Sequence, residues 1–174
     1  MRNSLSKPEL LEILKSPIVM ERGREYTLSS GISSNLYFKV KQAYGLPRFL
    51  RSVSRDINNL MDKKIRHIAG MGKGGTPLVG SYAGLYPIYS CYIRDVRKSH
   101  GMNLQIEGIL PKRGDKVALL DDVFTTGKSL EEEAEILERI TGAEVVAAYV
   151  VLRRTNAQIN FPVKSIFNIG DLDA

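Results

Sequence analysis

Apolar residues at 46, 49, 50, 53, 57, 60 and 61 fall on one face of a helix, so Leu46 to Met61 is predicted helical. Leu5 to Leu14 has similar spacing over a shorter span, with Ser6 placed to cap it and Pro8 tolerated in its first turn. Between them, Tyr26 to Lys41 alternates irregularly around Gly31 in a Ser/Asn-rich turn, the pattern of a bent hairpin. Ile65 to Gly70 then reads as a strand, a glycine-rich turn runs to Gly75, and a helix is expected around Pro77 to Gly84. Ile88 to Arg94 is the next strand. Asp95 to Pro111 is polar and poorly periodic, and is expected to be a long surface loop. A short apolar strand, Lys116 to Asp121, precedes a helix from Lys128 to Thr141 that Gly142 stops. Glu144 to Leu152 is almost continuously apolar, as a strand buried on both faces is, and Val163 to Ile169 is a last short strand. Strands alternating with helices predict an α/β fold with a mainly parallel, helix-covered sheet.

Composition sets the bounds. The 174 residues suit a single domain, and 43% hydrophobic with 25% charged residues is the balance of a soluble globular chain. No stretch approaches the roughly 20 apolar residues that cross a bilayer. The N-terminus has no long apolar leader, so the cytoplasm is the expected compartment. Cys91, the single cysteine, has no partner for an internal disulfide and is expected to be a small buried hydrophobe. A net charge of +6 favours an anionic partner, either nucleic acid or a small phosphorylated substrate. No helix-turn-helix, RNP-type or Cys/His-finger pattern accompanies that charge, which also fits a solvated basic surface.

The densest chemistry lies between Val117 and Ser129. Val117 to Leu120 carry the chain through the core, and Asp121 and Asp122 follow at the carboxyl end, where open α/β sheets hold their ligands. Val123 and Phe124 then lead into Thr125, Thr126, Gly127, Lys128 and Ser129. That loop offers backbone N–H groups, hydroxyls and a helix N-terminus to a phosphate. The acids suit ribose hydroxyls, from which they accept hydrogen bonds. One segment can therefore hold both ends of a sugar phosphate. The Gly-Lys-Ser triplet does not complete a P-loop, because Asp122 stands where the earlier glycine belongs.

This arrangement resembles the 5-phosphoribosyl-1-pyrophosphate (PRPP) motif of the type I phosphoribosyltransferases. Ala69 to Leu78, with Lys73, Gly74 and Gly75 at its centre, is similar to the pyrophosphate loop of that family, in its orotate phosphoribosyltransferase form. Arg94 to Gly101 resembles the mobile catalytic loop of orotate phosphoribosyltransferases in the spacing of Arg94, Lys98, His100 and Gly101. Asp95 departs from it, standing where that family has a lysine. Tyr26 to Phe38 is similar to the family's N-terminal segment, with Ser29 and Ile32 in place of a lysine and an arginine. Arg154 matches the arginine that contacts the orotate carboxylate, a contact suited to a guanidinium fork.

The resemblance implies a type I phosphoribosyltransferase fold over residues 1–174, with a small hood at about 1–45 and a mobile loop at about 95–110. It implies transfer of ribose 5-phosphate from PRPP to orotate, giving orotidine 5′-monophosphate and pyrophosphate. Arg94, Lys98 and His100 would then neutralise the leaving pyrophosphate while Asp121 and Asp122 hold the ribose. Lys73, Gly74, Gly75 and Val123 to Ser129 complete the PRPP site, and Tyr37, Phe38, Thr125 and Arg154 border orotate. Mg²⁺ would arrive on PRPP without a direct protein ligand. A homodimer is implied, with the 95–110 loop reaching the neighbouring site, and neither a membrane nor nucleic acid as partner. Two alternatives stay open: a phosphoribosyltransferase for another base, and a non-catalytic ligand-sensing regulator on the same fold.

Overall fold

In the computed structural model, which describes residues 4–27, 33–94 and 105–173, the chain opens with helix α1 (Lys7–Lys15). Ser6 caps it: its hydroxyl accepts from the Glu9 N–H while the Glu9 carboxylate accepts from the Ser6 N–H, so donors that a first turn leaves bare are satisfied. Leu10 and Leu14 are fully buried, and the Leu5 N–H donates to Ser52 Oγ at 2.7 Å, fastening this end of the chain to the main core.

Strands β1 (Met20–Thr27) and β2 (Ser33–Phe38) pair antiparallel with each other only. Their register shifts between Arg22 and Tyr26, the bend expected of this hairpin. The ribbon starts at Met20, well before Tyr26, because charged residues at 21, 22, 24 and 25 mask the strand from a hydrophobic pattern. Its predicted turn at Gly31 lies outside the described residues. Helices α2 (Val40–Ala43) and α3 (Phe49–Leu60) lead to the main sheet.

That sheet alternates β3 (His67–Met71), α4 (Gly72–Ala83), β4 (Tyr89–Ile93), β5 (Ile106–Gly108), β6 (Lys116–Phe124), α5 (Lys128–Thr141), β7 (Glu144–Arg153) and β8 (Val163–Asn168), before the short α6 (Ile169–Asp173). Its six strands run in the order β5-β4-β3-β6-β7-β8, parallel except for β5 on β4. Side chains alternate between its faces. Ala118 and Leu120 pack with Leu10, Val53 and Leu78 beneath α1, α3 and α4, whereas Val117 and Leu119 pack with Leu130 and Leu137 of α5. Cys91 is buried, as expected of it. The chain leaves β3 for one side of the sheet and β6 for the other, so the carboxyl ends of this adjacent pair flank a topological switch point. Among the described residues no helix is long and apolar enough to cross a membrane.

In the main sheet, three boundaries near the site differ from the sequence reading, each for a tertiary reason. Part of the expected 95–111 loop is strand: β5 is only three residues long, too short for a period, and is held by the buried Ile106. Strand β6 runs on to Phe124, three residues past its expected end at Asp121, so Asp122 is a strand residue as well. Helix α4 begins at Gly72, which makes the expected glycine-rich turn its first turn. Close approach outweighs the poor helix propensity of glycine here: a Cβ on Gly75 would stand 2.5 Å from the carbonyl oxygen of Leu120. Gly75→Ala is therefore expected to cost more than about 2 kcal/mol, since a backbone atom of β6 must move. Gly80→Ala in the same helix meets nothing nearer than Tyr92 Oη at 3.8 Å and should gain about 0.5–1 kcal/mol. Urea unfolding of the two variants measures both.

Candidate active site

Asp121 and Asp122 end the buried run of β6, 8% and 7% exposed. Strand alternation sends them to opposite sides of the sheet. Asp121 continues the side of Val117 and Leu119, facing α5, and Asp122 that of Ala118 and Leu120. Both still reach Gly74 in the first turn of α4, where a Cβ would sit 2.4 Å from Asp121 Oδ1 and 2.5 Å from Asp122 Oδ1. A glycine is the only residue that lets this turn meet the acid pair. The Asp122 N–H donates to Asp121 Oδ1 at 2.9 Å. Burial first, and then the charge of Asp122, hold the Asp121 carboxyl well above the usual carboxylate range.

Three residues that the sequence reading did not place in the site surround this pair. Lys41 of α2 places Nζ 3.5 Å from Asp122 Oδ2. Tyr44 donates from its hydroxyl to the Gly74 carbonyl at 3.0 Å, and burial, then Asp122 and Asp121, push its pKa up so that it remains a donor. On the other side lies Glu133, 1% exposed on the inward stripe of α5 formed by Leu130, Glu133, Ala134 and Leu137. Its Oε2 has no hydrogen-bond partner among the described residues. Burial, followed by the charge of Asp121, pushes the Glu133 pKa up to about 9. A glutamate at a core spacing of an amphipathic helix is legible in sequence; Lys41 and Tyr44, some eighty residues before the acids, carry no such signal.

Beyond the acids, Val123 to Leu130 and Glu132 line a cavity of about 240 Å³. Gly127 precedes α5 with φ +88° and no side chain caps the helix, so the first-turn N–H groups are left for an anion. A Cβ on Gly127 would strike Ile159 Cγ2 at 2.4 Å, which shows how closely the segment after β7 covers this loop. That segment is nailed down by Arg153, which donates to the carbonyls of Thr155 (2.9 Å), Ala157 (2.8 Å) and Val163 (3.2 Å) and lies over the Phe124 ring. Thr155 donates to the Thr125 carbonyl, and the Arg154 N–H to that of Phe124 at 2.9 Å. Phe124 is itself buried and offers only backbone to a ligand; Lys128 and Ser129 are exposed.

The remaining expected residues fall into two groups. Lys73 and Arg94 line one groove of about 620 Å³ beside Gly72, and Arg94 is ion-paired with Glu107 across β4 and β5. Tyr37, Phe38 and Arg154 gather where the ribbon meets the sheet. Arg154 donates to the Leu36 carbonyl at 2.8 Å with its guanidinium over the buried Phe38, and burial lowers its pKa. Tyr37 is exposed and stacks on Tyr26, so it is the ring of the pair that faces outward. Lys98, His100 and Gly101, with Asp95, Ser29 and Ile32, lie outside the described residues.

A family model described as a phosphoribosyl transferase domain matches residues 42–172. The orotate phosphoribosyltransferase of Thermococcus kodakarensis is 36% identical over 86% of this chain and 80% of its own. That of Methanosphaera stadtmanae is 33% identical over 92% and 89%. Among solved structures, orotate phosphoribosyltransferase from Aeropyrum pernix has a TM-score of 0.78 at 26% identity, covering 94% of this chain and 95% of that one.

Glu133 gives this site a pH signature. In the folded chain its carboxyl stays neutral until about pH 9, while in the unfolded chain it ionises near its ordinary 4.5. The unfolded state therefore binds fewer protons between those values, and stability falls as pH rises through the window. Asp121, Asp122 and Glu132 all oppose the ionised form. Relative to Glu133→Gln, which does not titrate, the wild-type protein should lose roughly 1 kcal/mol per pH unit from about pH 5 to 9. Denaturant midpoints of the two proteins across that range test this, and a constant difference would contradict it.

Proposed function

The chain belongs to the phosphoribosyltransferase family, and on that premise we propose that it transfers ribose 5-phosphate from PRPP to orotate in pyrimidine biosynthesis. The observation that carries this reading is the acid pair against Gly74 at the switch point, one strand end away from the capless N-terminus of α5. The acids suit the ribose hydroxyls and the α5 loop suits the 5-phosphate, so the sugar is held at both ends with its reacting carbon between them. Similarity to orotate phosphoribosyltransferases over most of the chain supports orotate as the base. Arg154 offers a cationic fork for its carboxylate, and Tyr37 an exposed ring for its plane.

In the reaction the bond from ribose C1 to the pyrophosphate oxygen breaks, its electron pair leaving with pyrophosphate, while a ring nitrogen of orotate bonds to C1 and gives up its proton to the departing pyrophosphate or to solvent. Positive charge builds on the ribose between these events, and negative charge on the departing pyrophosphate. Lys73 and Arg94, in the groove beside Gly72, suit the second task, with Lys98 and His100 added by the family resemblance. Arg94 must exchange Glu107 for phosphate to do so. Magnesium, carried on the pyrophosphate and ribose hydroxyls of PRPP, would neutralise part of the leaving charge; among the described residues no group of three or more His, Cys, Asp or Glu side chains could hold a metal, which fits one held mainly by phosphate and water. The proposed setting is the cytoplasm, and the proposed assembly a homodimer in which the 95–110 loop serves the neighbouring site.

Orotate absorbance should fall when the protein is mixed with PRPP and magnesium, whereas uracil and hypoxanthine are left unchanged. Asp122→Asn should slow orotate loss by about a hundredfold or more. Turnover of another base in place of orotate would overturn the assignment. The assembly has its own test: His100→Ala and Asp122→Asn, each nearly inactive alone, are unfolded and refolded together. If the loop acts in the neighbouring site, random pairing gives one intact site in half the dimers, and about a quarter of the wild-type rate returns. No recovery would place the loop's action within its own subunit.

A further inference from the structure

We propose that Glu107 is a positioning residue that competes with pyrophosphate for Arg94. It holds the guanidinium until the pyrophosphate end of PRPP displaces it, and takes it back as the product leaves. The inference rests on the reading of the groove beside Gly72 as the pyrophosphate site, and adds to it an acid built into a place for an anion.

Strand pairing sets the two side chains together. β4 and β5 are antiparallel, with Tyr92 opposite Glu107 and Ile93 opposite Ile106, and one step further the Arg94 N–H donates to the Gln105 carbonyl at 2.9 Å. Alternation turns Cys91, Ile93 and Ile106 into the core under α5, and Tyr92, Arg94 and Glu107 to the α4 side. Arg94 and Glu107 thus stand diagonally across the ladder, where their ion pair forms. The two backbones approach closely at Gly108, where a Cβ would stand 2.6 Å from the Ser90 carbonyl oxygen, so Glu107 has little freedom to move away. Of the residues lining this groove, the charged ones are Lys73, Arg94 and Glu107. A groove made only to hold an anion has no use for the third. As a contribution to the fold the pair is small, because Glu107 is half-exposed and Arg94 partly so. Its effect falls on the ligand instead. Pyrophosphate must break the pair to reach the guanidinium fork that suits it, and it meets the repulsion of the carboxylate as well. The same two effects help it to leave. A cationic groove that receives a highly charged leaving group risks retaining it, and slow product release limits turnover. A carboxylate on the neighbouring strand that reclaims the arginine counters this.

Glu107→Gln removes the charge and keeps the shape. Its affinity for inorganic pyrophosphate with magnesium, measured by calorimetry, should tighten about tenfold. Up to about fivefold comes from a pair that no longer has to be broken, and on the order of twofold from the repulsion relieved. Release of pyrophosphate, followed by stopped flow, should slow by most of that factor. In an Arg94→Gln background the same substitution should tighten binding by no more than about twofold, because only the repulsion remains to be removed. Tighter binding is a result that damage to the fold does not produce. Unchanged or weaker pyrophosphate binding by Glu107→Gln would overturn the proposal, as would an unchanged release rate. An equally large effect without Arg94 would overturn it too, since Glu107 would then act as a general negative charge. If neither protein bound pyrophosphate, the assignment of the groove would fall and the proposal with it, whereas equal binding by both would leave that assignment standing. Pyrophosphate affinity does not depend on which base is the acceptor, so an error in assigning orotate would leave this test intact.

Discussion

Two adjacent carboxyl groups at the end of a buried strand, both brought against one glycine of α4, are the constraint that organises this end of the molecule. Asp122 is met on its side by Lys41, with Tyr44 close by; Asp121 meets α5 and Glu133. Only a residue without a Cβ can approach both, so Gly74 sits where helix α4 docks. Among the described residues, the result is three acids with one half-exposed lysine, Lys41, against them. Such a cluster opposes folding, and the fold tolerates it because a large sheet and two covering layers stabilise everything else. A ligand that brings hydroxyl donors and associated positive charge relieves the same strain, so binding energy is drawn from a tension already present in the empty protein.

Arg153 and Arg154 are neighbours on β7 with divided duties. Arg153 spends its guanidinium on three backbone carbonyls of the returning chain, which then covers Gly127. Arg154 reaches the ribbon, where it crosses Phe38 and meets Leu36. One therefore stiffens the end of the site proposed for the phosphate, and the other connects the end proposed for the base to a segment that pairs with no strand of the main sheet.

Much of this was legible in the sequence, and the rest was hidden for identifiable reasons. The N-cap at Ser6, the stop at Gly142 and the apolar run from Glu144 rest on local chemistry, and the structure shows them where that chemistry puts them. The segment from Val117 to Ser129 likewise announces acids followed by an anion loop. What escaped depends on the partner across space. Three glycines and a lysine look like a turn until β6 is there for a helix to lie against. Three residues of β5 show no period, yet β4 supplies a ladder for them. Lys41 and Tyr44 acquire meaning only once α2 is folded beside Asp122. Glu133 differs: its helical spacing already set it facing the core, and a charged residue on such a stripe is itself a sign of function.

The short β5 has a consequence at the margin of the sheet. An exposed outer strand is a template for another chain's backbone, and long flat ones invite aggregation. Here one margin is a strand of three residues that Gly108 ends at φ +99°, with the charged Glu107 at its middle. The opposite margin, β8, is entered through Pro162 and carries the exposed Lys164. Neither side offers a long uncharged run of free N–H and C=O groups. Two copies meeting edge to edge in a crowded cell would find little backbone to share, which leaves the sheet free to serve its ligand end alone.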